Sequence, residues 1–270
     1  MARGVSAKAE AAERSAFQKV GKLLNGKAIV SPAGFDAGFP DFGYRIKLED
    51  GKVIDLHFEY KADYKAQMGS MRDWIFDGRK FSTNDTKSES KAELIAVMNK
   101  TPKAIQNGKR LLNDLKKYFD KGVKFLYSGS LSVIKDKGTR RVQTQNFAAK
   151  TDNYQIAAIS DTMLGKKIID HYKTKFKKNL KSGSDGSILF MMLKDKVWMV
   201  DTFGNIPTSD LPEVAKRMGL TKLDKLQNLT AKLEVRIQPR GLNSPTKMTS
   251  IDVMASFRLA NAPGGGGKII

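Results

Sequence analysis

Residues 42 to 61, "FGYRIKLEDGKVIDLHFEYK", alternate apolar and polar side chains on both sides of a Glu-Asp-Gly turn, which leaves a folding chain few options. Period-two patterning specifies two strands with one buried face. A three-residue loop ending in glycine is a favoured connection between them, because glycine accepts the left-handed backbone. With Glu49, Asp50 and Gly51 as the loop, Leu48 pairs with Lys52 and each later pair of residue numbers sums to 100. Ile46 then faces Ile54, Tyr44 faces Leu56 and Phe42 faces Phe58 on one side, while Arg45 faces Asp55 on the other. A shift by one residue would set Ile46 against Asp55, so the apolar pattern selects the first register. That register sets Asp41 opposite Glu59, with Lys61 two residues further along the same polar face.

Directly opposed residues have Cβ atoms about 4.5–5.5 Å apart. Two carboxylates held there repel by roughly 3 kcal/mol at an effective dielectric of ~20. A bound divalent cation reverses the sign. Mg²⁺ favours one or two carboxylates together with waters and phosphate oxygens, which is what such a pair offers. Without a metal, the same residues read as a charged solvent face, with Glu59 paired to Lys61 or Lys47.

Pro40-Asp41 and Glu59-Tyr60-Lys61, with seventeen residues between the acids, resemble the motif of the PD-(D/E)XK nuclease superfamily, the restriction-endonuclease-like proteins. An acid-x-Lys string alone carries little, since the chain contains six, at 50–52, 59–61, 63–65, 85–87, 89–91 and 114–116. Only 59–61 ends an alternating strand whose partner begins with Pro-Asp. The resemblance covers roughly residues 6 to 130 and implies an α/β fold, a mixed central sheet flanked by helices. It implies that Asp41, Glu59 and the Tyr60 carbonyl bind Mg²⁺, with Mn²⁺ able to substitute, and that Lys61 orients or polarises the attacking water. It further implies an acid from the first helix, matched by Glu13, and a Gln beyond the Lys, matched by Gln67. His57 shares the polar face but has no expected chemical role, and Asp55 is expected to pair with Arg45.

Elsewhere the sequence predicts a helix from Ser6 to about Leu24, a helical face of Tyr64, Met68, Met71 and Ile75, and helices in "KAELIAVMNK" and "AIQNGKRLLNDLKKYFDKG". "VKFLYS" reads as a buried strand. Later come a lysine-rich helix, "GKKIIDHYKTKFKKNLK", and two hairpins, "SILFMML" with "VWMVDTF" and "LTAKLEVRIQP" with "SIDVMASFRLA". These additional C-terminal strands and the basic helix place a boundary near residues 130 to 150. Residues 1–130 are then the nuclease core, and 131–270 a basic part that grips DNA or forms a homodimer, with or without a shared core.

The 48 Lys and Arg outnumber the 28 Asp and Glu, giving +20, a field that attracts polyanions. DNA is the expected partner. Lys173, Lys175, Lys177 and Lys178 would neutralise phosphates irrespective of sequence. Arg140 and Arg141 suit guanine edges. The absence of cysteine excludes thiolate chemistry and fits a reducing, cytoplasmic setting. No apolar run reaches the ~18 residues of a membrane span. The expectation is a Mg²⁺-dependent DNA endonuclease, restriction-type first, with a resolvase or exonuclease on the same fold as the near alternative. A nucleic-acid-binding protein without catalysis is the alternative from another class.

Overall fold

A computed structural model describes residues 7–32, 40–71, 74–83, 89–118, 126–127, 130–131, 159–180, 183–240 and 250–269. In chain order they form α1 (Ala7–Leu24), β1 (Lys27–Val30), β2 (Phe42–Lys47), β3 (Val53–Lys61), β4 (Gly69–Met71), β5 (Trp74–Phe76), β6 (Phe81–Thr83), α2 (Glu89–Lys100) and α3 (Pro102–Tyr118). The chain continues through β7 (Leu126–Tyr127), β8 (Ser130–Leu131), β9 (Ile159–Asp161), α4 (Thr162–Asn179), β10 (Gly186–Leu193) and β11 (Lys196–Gly204). It ends with α5 (Leu211–Arg217), β12 (Ala231–Arg240), β13 (Ser250–Leu259) and β14 (Gly267–Lys268).

These elements separate into two units that interleave along the chain. The first holds residues 1–66, 165–229 and 261–270; the second holds 67–164 and 230–260. A division at 130 to 150 does not describe this arrangement, because a strand from the C-terminal half completes the N-terminal sheet. That strand is β10, which pairs parallel with β3 along its whole length, from Gly186 beside Ile54 to Leu193 beside Lys61. Its eight residues are all buried, as expected of a central strand covered on both faces.

The first unit is built on a six-stranded mixed sheet in the order β1-β2-β3-β10-β11-β14. Its β2–β3 hairpin has the register read from the sequence, with Phe42 opposite Phe58, Tyr44 opposite Leu56, Arg45 opposite Asp55 and Ile46 opposite Ile54. Gly51 closes the loop at φ +91°, the left-handed conformation the turn requires. Phe42, Phe58 and Phe190 stack across three neighbouring strands, each ring 5.0 Å from the next. Val20 and Leu24 of α1 and Val214 and Met218 at α5 join the buried cluster on that face. Gly21 allows the close approach, since a Cβ there would lie 2.5 Å from the Tyr44 hydroxyl, which donates to the Phe17 carbonyl at 2.7 Å.

The opposite face of the sheet is covered as well. Phe176 of α4 packs edge-on against His57 at 4.8 Å and Phe203 at 4.9 Å. Helices therefore flank a mixed sheet.

In the second unit β4-β13-β12-β9 form one antiparallel sheet, with β8 also on β13, and β6-β5-β7 form a smaller one. Among its described residues Trp74, Phe76, Phe81 and Met98 are the largest fully buried side chains. The helical face predicted for Tyr64, Met68, Met71 and Ile75 is not formed. Tyr64 lies in a turn, Met68 N–H donates to the Phe257 carbonyl at 2.7 Å, and Met71 pairs with Ala255 of β13. In β5 the burial alternates, with Trp74 and Phe76 inside and Ile75 half-exposed, so a period of two prevails over the 3.6 spacing. Gly69, a poor helix former, opens the strand.

Candidate active site

The polar ends of β2 and β3 meet where the apolar ladder stops. Asp41 N–H donates to the Phe58 carbonyl at 3.0 Å, extending the hairpin by one bond, and Tyr60 N–H donates to Asp41 Oδ2 at 2.7 Å. Lys61 Nζ donates to Glu59 Oε1 and, at 3.2 Å, to the Tyr60 carbonyl, and lies 3.8 Å from Asp41 Oδ2. One ammonium thus stands where two carboxylates and a backbone carbonyl converge. The side chains are not on an open face: Glu59 is 9% exposed, Lys61 17% and Asp41 22%.

Burial sets the electrostatics. It pushes the Glu59 and Asp41 carboxyls above the usual range, against the pull of Lys61 on both and the Tyr60 N–H on Asp41. Burial also raises Glu13 of α1, to about 7, and the negative charge of Asp41 adds to it. Desolvation acts against the Lys61 ammonium, but Glu59 and Asp41 outweigh it and hold the group charged. Among the described residues three acids, Glu13, Asp41 and Glu59, interact there with Lys61, and the latter two, more weakly, with Lys175. A buried excess of negative charge of this kind is relieved by protons or by another cation.

Helix α4 brings two further residues that sequence reasoning did not assign to this centre. Tyr172 is buried, and burial together with the charges of Glu59 and Asp41 keeps its phenol well above its ordinary pKa and neutral. Lys175 acts on Asp41 and Glu59 from the same helix and lowers both carboxyls. The signal was present in the sequence: Ile168, Tyr172 and Phe176, all buried, recur every four residues beneath the run of lysines.

The other named residues fall as follows. Arg45 grips Asp55 with two hydrogen bonds of 2.7 and 2.9 Å, as the sequence implied. His57 is held against Phe176, and burial lowers its pKa to about 4; among the described residues its Nδ1 has no hydrogen-bond partner, which fits a packing role. Asp63 accepts from Lys65 N–H at 2.7 Å in a turn. Gln67 opens the second unit, whereas Glu13, Asp41, Glu59, Lys61, Tyr172 and Lys175 all belong to the first. Lys173 pairs with Asp201 at 2.9 Å, while Lys177 and Lys178 are exposed in the last turn of α4. Arg140 and Arg141 lie outside the described residues.

Among the described residues no group of three or more His, Asp or Glu side chains could hold a metal ion by itself. A divalent ion at this centre would use Asp41, Glu59 and the Tyr60 carbonyl, an all-oxygen set that suits Mg²⁺ or Mn²⁺, since Mg²⁺ retains several waters. Among the described residues no helix is long and apolar enough to cross a membrane. Comparison of the chain with family models, curated proteins and solved structures gives no match in any of the three.

Proposed function

We propose that this chain is a divalent-metal-dependent deoxyribonuclease whose centre is Asp41, Glu59, the Tyr60 carbonyl and Lys61. The observation that carries the proposal is the convergence of those three oxygen-bearing groups on one ammonium position at the end of the β2–β3 hairpin. The order of α1, the hairpin, α4 and the parallel strand β10 supports a restriction-endonuclease-like core. The +20 net charge supports a polyanionic substrate.

A divalent ion, when bound, supplies Lewis-acid charge beside the scissile phosphate. Asp41 and Glu59 would hold it, and its charge would offset their repulsion. Lys61, released from Glu59, donates to a water or to a phosphate oxygen as negative charge develops. Glu13, raised to about 7 by burial, accepts or returns a proton near neutral pH at the edge of the site. Tyr172 offers a neutral hydroxyl from α4, and Lys175 adds positive charge towards the phosphate.

One observation favours a second reading. The direct Lys61–Glu59 contact is itself a complete ion pair, as expected of a nucleic-acid-binding protein whose acids are structural. Incubation with supercoiled and linear DNA, in Mg²⁺ or in EDTA, separates the two. Cleavage in Mg²⁺ alone, abolished by Asp41→Ala and by Glu59→Ala, is the result expected. Retarded but uncut DNA in both buffers would establish the binding protein.

A further inference from the structure

A cavity of about 550 Å³ opens at the same end of β3, on the α1 side of the sheet. Its size lies within the roughly 300–1,000 Å³ of small-molecule sites. The helix contributes Ala12 and Ala16, which line it without filling it, and β3 contributes Tyr60. Lys19, Lys194 and Asp195 complete the polar part of the wall. Lys19 and Lys194 are exposed, and among the described residues neither is in an ion pair.

The cavity and the acids share one strand end. Tyr60 stands between Glu59 and Lys61, so strand alternation sends its ring to the opposite face, while its carbonyl accepts from Lys61 Nζ. Lys194 N–H donates to the Lys61 carbonyl at 2.8 Å, and Glu13 directly follows Ala12. An occupant of the cavity therefore lies on the other face of the strand end that carries Glu59 and Lys61, and Glu13, next to Ala12, interacts electrostatically with Asp41 and Glu59. An aromatic ring, small apolar walls, two ammonium groups and one carboxylate match a nucleotide: a flat base, its polar edge and its phosphate. A paired base inside a duplex cannot present its faces to such walls; an unpaired one can.

We propose that this cavity receives one unpaired nucleotide adjacent to the bond to be cut, so that the substrate is DNA with a strand end, flap, junction or extruded base. The inference rests on the deoxyribonuclease reading for the phosphate at the acids, but nucleotide capture itself needs no metal. It is tested by fluorescence anisotropy in EDTA, with a fluorescein-labelled duplex carrying one unpaired nucleotide and the same duplex fully paired. Wild-type protein should favour the first by about tenfold, the scale of one stacked base. Ala12→Phe, which fills the cavity, should remove the preference and leave affinity for the paired duplex unchanged. If Ala12→Phe does not fold by thermal melt, Ala12→Leu, a smaller filling of the same wall, decides. Equal wild-type affinity for the two duplexes, or a preference that survives in the folded variant, overturns the proposal. Incubating the same duplexes in Mg²⁺ tests the other premise. Cleavage without any preference removes the cavity's role and leaves the nuclease, whereas preference without cleavage leaves a nucleotide site and removes the nuclease.

Discussion

Replacing Lys61 with Met retains the buried stem and deletes the ammonium paired with Glu59. At an effective dielectric of ~20 and ~4 Å, an ammonium attracts each carboxylate by about 4 kcal/mol, and the return of Lys61 to water in the unfolded chain offsets a large part of the two. Breaking a buried ion pair by removing one partner costs about 3–5 kcal/mol in general. Because Asp41 retains the Tyr60 N–H and Lys175 still faces both acids, the expected loss lies at the lower end, about 3 kcal/mol at pH 8. The loss should depend on pH with a definite sign. Without Lys61 the carboxyls rise further above their unfolded values, so the folded state binds more protons than the unfolded one and stability falls as pH increases. Urea unfolding at pH 5 and pH 8 measures this, with the smaller loss at pH 5. At pH 8, Mg²⁺ at a hundred times its dissociation constant should return about 2.7 kcal/mol. A loss below about 0.5 kcal/mol at pH 8, the range of exposed pairs, would show that Lys61 is not the counter-ion of a buried acid pair.

Glu13→Gln should flatten the pH dependence of stability between about 4.5 and 7. A carboxyl raised to about 7 stabilises the fold below its unfolded pKa and loses that contribution as pH rises, by about 1 kcal/mol after discounting for its partial exposure. An unchanged profile in urea melts would contradict the placement of Glu13. Lys177→Gln with Lys178→Gln should reduce the slope of log affinity for duplex DNA against log salt by about 0.9 for each phosphate that is no longer neutralised. Lys173→Gln should leave that slope unaltered, because Lys173 is engaged by Asp201. Phe58→Ala, which removes the middle ring of the three-strand stack, should cost about 3–5 kcal/mol in urea unfolding. A loss under about 1 kcal/mol would mean that β3 and β10 are not packed as neighbours.

The hairpin was legible because both strands, Val53 apart, carry their apolar residues at even numbers, so Phe42, Tyr44, Ile46, Ile54, Leu56 and Phe58 allow one register only. The juxtaposition of Asp41 with Glu59 came with it. What lay over the polar face was not legible, because that depends on a helix more than a hundred residues away, inserted after most of a second unit. Seven lysines in the "KKIIDHYKTKFKKNLK" run dominate its character, and they mask the stripe of Ile168, Tyr172 and Phe176 that seats the helix. The eight apolar or small residues of β10 read as one arm of a hairpin with β11, which they are. The strand's second neighbour, β3, was not legible from the run itself, because pairing along a strand edge leaves no mark on which faces are apolar. At 64 to 75 the apolar spacing satisfied a helix as well as a turn followed by short strands, and pairing with β13 decided between them.

The most direct test of the central claim is titration of Mn²⁺ into the metal-free protein, followed by electron paramagnetic resonance of the free ion. If Asp41, Glu59 and the Tyr60 carbonyl form a cation site, the wild-type chain binds Mn²⁺, Mg²⁺ competes for it, and binding is lost in Asp41→Ala and in Glu59→Ala. Metal-free Asp41→Asn should in addition melt above wild type, since neutralising that carboxyl removes a buried charge from the cluster. Mn²⁺ binding of undiminished affinity in both alanine variants, or none in the wild-type chain, would contradict the account and leave the acid pair as the structural partner of Lys61.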